Sequence, residues 1–168
     1  MDIFLDSGVL VRIPFYICLG VVTEVLFTGM ADFISPLFLK SWRLKNLEAR
    51  EPELVKRDPR LMGYTFLWML PIYAALILIE PIAFLLKDWP LFFRGFVYVP
   101  IFWFGEYVAG FVLKKITGSC PWDYSNSRFS LHGFMRWDFF PFWFAFTIFL
   151  DVFSEKLIEL TPAIMAIF

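Results

Sequence analysis

Four acidic residues stand inside apolar stretches where hydropathy gives no reason for them: Glu24, Glu80, Glu106 and Asp151. A charge at the centre of a bilayer costs at least about 2.5–3.5 kcal/mol, so such a residue faces a bundle interior or water, finds a partner, or stays protonated. Depth sorts the four into two tiers. At about 1.5 Å per residue, Glu24 and Glu106 both sit deep and at similar height. Glu80 and Asp151 sit near the ends of their stretches, with Arg12 and Arg94 at matching depth. Arg12, Glu80, Arg94 and Asp151 therefore read as structural ion pairs. The deep tier has no Lys, Arg or His at its level. Burial without a cation disfavours the charged form, so Glu24 and Glu106 are expected to be neutral hydrogen-bond donors, to share a proton, or to meet a cation from outside the chain. A proton, cation or substrate site and a buried hydrogen bond that pins the bundle are both open at this point.

A second group lies in the polar segment GSCPWDYSNSRFSLHG, residues 118–133. Pro, Asp, Ser, Asn and Gly are turn formers, but Trp122, Tyr124 and Phe129 are not ordinary loop residues. Aromatic side chains in a polar loop point to a segment folded back onto the bundle. Asp123 and Ser125 can cap local backbone groups. The other reading is a ligand-facing rim, where Trp122 and Tyr124 stack and Asp123 accepts a hydrogen bond or binds a cation. His132 is the sole histidine, and no Cys or His stands at ligand spacing from it, so no metal is expected. No HExxH, P-loop, GxGxxG or GxSxG pattern is present. No catalytic residue or cofactor is assigned, and coupling to ATP needs another chain.

The elements that must position these residues are helices. Apolar stretches long enough to cross a bilayer run over about residues 9–34, 62–86, 92–113 and 137–156, the last with its apolar core at 139–153. The tail 160–168 is apolar but too short to span, and Thr161-Pro162 suits a break before an interfacial or re-entrant segment. The fold class is all-α: one integral-membrane domain over 1–168, a bundle of four transmembrane helices with a cytoplasmic WDYS loop and a short C-terminal tail. Gly20, Glu24 and Thr28 share one helix face. Gly105, Glu106, Ala109 and Gly110 give the third span a small-residue face for close approach. The two faces predict a Glu24–Glu106 contact. Trp89, Trp103, Trp122, Trp137 and Trp143 read as an aromatic belt at the headgroups. Prolines 14, 71, 81, 100 and 141 predict kinks.

The totals agree. Of 168 residues, 60% are hydrophobic, 21% aromatic and 18% charged; soluble domains average about 45–50% apolar and about 25% charged. This excludes a soluble enzyme and a disordered chain. The net charge of -1 offers nucleic acid no basic field. Eleven of the fifteen basic residues fall in two loops, the basic loop 40–60 and residues 114–136. The positive-inside rule puts both loops in the cytoplasm and both termini outside, in a bacterial inner membrane or its equivalent. Cys18 and Cys120 stand in unlike settings, so no disulfide is expected. The acidic N-terminus MDIFLDSG does not read as a removed signal segment. The expected partners are the lipid bilayer and either further copies of the chain or other membrane subunits.

The segment GEYVAGFVLKKITGSCPWDYS, followed by Gly133, Asp138, Trp143 and Asp151, resembles the transmembrane protein 229 family and the related bacterial CmpB-like group, the putative ABC-transporter type IV family. Glu106, Gly110, Trp122, Asp123, Tyr124, Ser125, Gly133, Asp138, Trp143 and Asp151 follow that pattern in order. GVVTEVLFTG around Glu24 resembles its first helix, and Glu80 fits too. The likeness covers most of residues 14–156; the basic loop 40–60 is longer than the family pattern. It implies a small polytopic membrane protein with a transport-related, permease-like role. An accessory subunit of a larger membrane complex is the alternative. An intramembrane lipid-modifying enzyme using Glu106, Asp123 and His132 ranks third.

Overall fold

The computed structural model describes residues 8–34, 63–125 and 127–167. The basic loop 40–60 lies outside the described residues.

Helix α1 is Val9–Ile34. Its Pro14 lies in the second turn and removes one ladder bond, the one to the Leu10 carbonyl. Helix α2 covers Met69–Leu85 in three pieces: α-helix at Met69–Ala74, a 3-10 turn at Ala75–Leu78 and α-helix again at Ile79–Leu85. Pro81 accounts for the change, because it cannot donate to the carbonyl four residues earlier and the chain tightens there. Helix α3, Leu91–Thr117, starts behind Pro90 and ends at Gly118, whose φ of 80° and N–H bond to the Lys114 carbonyl close the last turn. Lys114 and Lys115 stand in that turn, where cations suit the carbonyl end. A 3-10 turn, Trp137–Phe139, leads into helix α4, Phe140–Met165.

Three helical stretches are long and apolar enough to cross a membrane: Val9–Met30, Leu91–Thr117 and Trp137–Met165. Met69–Leu85 is a shorter apolar helix, about 25 Å long against a hydrocarbon core of about 30 Å. The stretch expected to begin at residue 62 thus becomes helical only at Met69. The cause is local: the Tyr64 N–H is taken by the Thr28 hydroxyl at 3.0 Å, and a Cβ on Gly63 would collide with the Val25 carbonyl. The tail corrects the sequence reading as well. Helix α4 runs through Thr161-Pro162 to Met165 without a break. Pro162 lies one turn from the helix end, so it removes a single bond, and the Thr161 hydroxyl donates back to the Leu157 carbonyl at 2.7 Å.

The chain divides into two compact units, one of Pro14–Leu76 and one joining the residues up to Ile13 with Ile77–Phe168. In the larger unit α3 and α4 run antiparallel. Asp151 lies by Arg94 and Tyr98, Phe144 and Ile148 crowd Gly95, and Phe140 packs on Trp103. Helix α4 therefore begins beside the middle of α3. One face of the other half of α3, at Tyr107, Gly110 and Phe111, meets Phe134 of a small folded-back hairpin, in which β1, Ser130–Leu131, pairs with β2, Met135–Arg136. Its turn holds His132 and Gly133 at φ 54° and 82°, both left-handed, as a tight hairpin turn requires.

Candidate functional site

Glu24 belongs to the smaller unit. The Thr65 and Tyr73 hydroxyls both donate to its Oε2. One turn on, the Thr28 hydroxyl donates to the Glu24 carbonyl at 2.8 Å and lies 3.2 Å from the Tyr64 carbonyl. One turn back, a Cβ on Gly20 would fall inside the Tyr73 ring. The face at Gly20, Glu24 and Thr28 is thus occupied by residues 64–73, and glycine at position 20 is what admits the Tyr73 ring.

Glu106 belongs to the larger unit, on α3, beside the folded-back segment. The Tyr124 hydroxyl interacts with the Glu106 carboxyl group. The carboxyl Oε2 is buried and has no hydrogen-bond partner among the described residues. The hairpin is tied down around this pair. The Trp122 indole donates to the Phe134 carbonyl at 2.9 Å, and the Tyr124 N–H to the Gly133 carbonyl at 3.0 Å. The Phe134 ring rests on Gly110, where a Cβ would sit only 3.0 Å away. Arg136 pairs with Asp138 and lies over the Phe139 ring at 4.3 Å. Asp123 accepts the Ser125 N–H at 2.9 Å, so it caps its own turn. Burial holds the Tyr124 phenol well above its usual range, with the Glu106 charge adding to the effect. Burial likewise pushes the Cys120 thiol up to about 11. Cys18 and Cys120 are both free.

The four remaining charged residues lie in two clusters. Arg12 and Glu80 are 1% and 3% exposed and meet side-on, Nε to Oε1 at 2.8 Å and Nη2 to Oε2 at 2.9 Å. Arg12 also reaches Thr161 at 3.5 Å. Arg94 meets Asp151 at 3.1 Å, and Tyr98 donates to the same carboxylate at 2.9 Å. Arg94 spends its other nitrogens on the carbonyls of Trp89 and Lys87, at 3.0 and 2.7 Å. That geometry uses the planar guanidinium as a bracket between a turn and two helices.

Four residues of the pattern noted in the sequence, Gly110, Trp122, Tyr124 and Gly133, thus lie among those that hold the hairpin together and against α3. A family model described as Putative ABC-transporter type IV matches residues 11–167. The chain belongs to this family. No solved structure matches it. Within this family member, Glu24 and Glu106 fall in separate units and each has hydroxyl company in its own. Trp122, Asp123 and Tyr124 are placed in one segment, with Tyr124 at Glu106 and Trp122 spent on backbone.

Sequence reasoning missed Thr65 and Tyr73 as partners of Glu24, Tyr98 at Asp151, and Thr161 at Arg12. Tyr98 was legible: it follows Arg94 by four residues and so shares its helix face. Thr65 carried no signal, since it lies in non-helical chain. The aromatic belt is divided. Trp89 and Trp137 are exposed, but the indole N–H groups of Trp103 and Trp143 are buried without a partner among the described residues. The cause is the late start of α4, which lays Trp137 against Trp103 in the middle of α3.

Proposed function

We propose that this chain is a membrane-embedded, permease-like component of a transport system, in which Glu106 and Glu24 handle a proton or a cation within the spans. Membership of a family described as a transporter and three helices of membrane-crossing length support the setting. The observation that carries the site is the buried Glu106 Oε2, which lacks a hydrogen-bond partner among the described residues. A buried polar atom left unsatisfied costs about 1–3 kcal/mol, and a proton or cation arriving there recovers it. In this reading Trp122, Asp123 and Tyr124 form the rim of the path, and both large loops face the cytoplasm with the termini outside. Glu24, with two hydroxyl donors on one oxygen, is the better satisfied of the two acids and the secondary member. The test is flux of protons and monovalent cations into vesicles containing the purified chain. Glu106→Gln abolishes the flux while insertion and melting stay unchanged. Flux equal to the parent chain in that variant overturns the proposal.

The alternative role, an accessory subunit, draws on the large apolar side chains left on the outside of α3, such as Phe104 at 71% exposure. It predicts stable co-purification with other membrane subunits and no flux from the purified chain alone.

A further inference from the structure

Two hollows meet at the C-terminal end of α3. One is a polar cleft of about 220 Å³ whose lining includes Lys114, Ser119, Asp123, Ser125 and His132. The other is an apolar groove of about 370 Å³ that runs past Tyr107, Phe111 and Lys115. They share Lys114, His132 and Phe134 as a common wall. The wall is fixed before any ligand arrives. Phe134 is seated on Gly110 and held through its carbonyl by Trp122. His132 sits in the left-handed turn with Nδ1 on the Tyr107 hydroxyl at 2.8 Å. A preformed hollow loses less on binding than one that must order itself.

A ligand that fills both hollows must be polar at one end and apolar at the other. Its direction is set by α3: Tyr107 and Phe111 lie toward the middle of a helix of membrane-crossing length, and Lys114 to Ser119 lie at its end. The polar end meets cations first, at Lys114 with Lys115 on the rim, which suits a phosphate. In the same cleft it meets the exposed Asp123 carboxylate, an acceptor for the Ser125 N–H, whose negative charge suits an ammonium group. Lysine side chains at helix ends also lie naturally at headgroup level. We infer that this corner binds a phospholipid with an amine headgroup, its acyl chain along Tyr107 and Phe111, its phosphate at Lys114 and Lys115, and its amine at Asp123. The inference rests on the chain being a membrane protein and not on the transport reading.

The test equilibrates the purified full chain with vesicles of equal parts dioleoyl phosphatidylethanolamine, phosphatidylglycerol and phosphatidylcholine, and counts retained lipids by native mass spectrometry. Phosphatidylethanolamine is retained above the other two. The exposed pair Lys114→Gln with Lys115→Gln lowers its occupancy about tenfold, as loss of a charge-assisted contact does. His132→Asn, which the left-handed turn accepts, lowers it in the same direction. Lys87→Gln, at a lysine that lies over the Phe84 ring and outside both hollows, leaves it unchanged. Soluble glycerophosphoethanolamine does not displace the bound lipid. Equal retention of the three lipids, preference for phosphatidylglycerol, unchanged occupancy in the lysine variant, or displacement by the soluble headgroup each overturns the inference.

Discussion

Glu24 and Glu106 share a residue type, yet their surroundings differ in a way that single substitutions expose. Glu24 rests on two hydroxyls, so Tyr73→Phe removes one of two donors. The expected cost is about 1 kcal/mol, read as a modest drop in melting temperature in detergent. Cys120 gives a sharper test, because its buried thiol is pushed up to about 11. Burial disfavours the thiolate, so the group is a neutral thiol at pH 7 and its alkylation by iodoacetamide is slow. The rate climbs as pH rises toward about 11 and then levels. A plateau near pH 9, the range of an unperturbed thiol, is the contrary result. At this scale the sequence was readable where partners share a helix face, as with Arg94 and Tyr98, and unreadable where they lie in irregular chain, as with Glu24 and Thr65.

Among the elements, the hairpin between α3 and α4 was the least legible. Strands of two residues leave no alternation to read, and GSCPWDYS reads as loop because its residues are turn formers. Its aromatic content did point to a folded-back segment, but not to the face of α3, at Tyr107 and Gly110, on which it packs. Two glycines separate conformational cost from crowding. Gly118 at φ 80° has open space where a Cβ would go, whereas a Cβ at Gly133, φ 82°, would fall against the Ser125 hydroxyl. Gly118→Ala therefore costs only the left-handed penalty of about 1–2 kcal/mol. Gly133→Ala costs more than that and loosens Tyr124 from Glu106. Limited proteolysis across residues 118–136 checks the order, and equal susceptibility of the two variants contradicts it. Helix α2 shows the converse failure. Hydropathy marks residues 62–68 as part of a span because they are apolar, but it cannot register that the Tyr64 N–H is already committed to Thr28.

For the molecule as a whole, all-α character and the three long helices were legible from apolar run length alone, since that length is set by the solvent they occupy. The continuity of α4 through Pro162 was not, because a proline near a helix end reads as a stop. The buried Arg12–Glu80 pair offers a test at this scale. Arg12→Met leaves Glu80 buried without its cation and lowers stability by about 3–5 kcal/mol. The double change Arg12→Met with Glu80→Leu recovers much of that loss, because the buried carboxylate goes together with the guanidinium it faced. Thermal melting of the three proteins in one detergent decides it: a double variant no better than the single one contradicts the account.

The same pair has a consequence for how the protein is made. Arg12 leaves the ribosome 68 residues before Glu80 and 149 before Thr161. Until then the nascent first helix lacks the Glu80 carboxylate and the Thr161 hydroxyl that the Arg12 guanidinium meets in the folded protein. Its seating is complete only once those partners have been made. Ribosome-bound chains halted before residue 80 should therefore stay extractable by alkaline carbonate, and chains halted well beyond it should resist. Resistance that appears only beyond residue 80 would mark the Arg12–Glu80 contact as the step that couples the seating of the first helix to synthesis of the second.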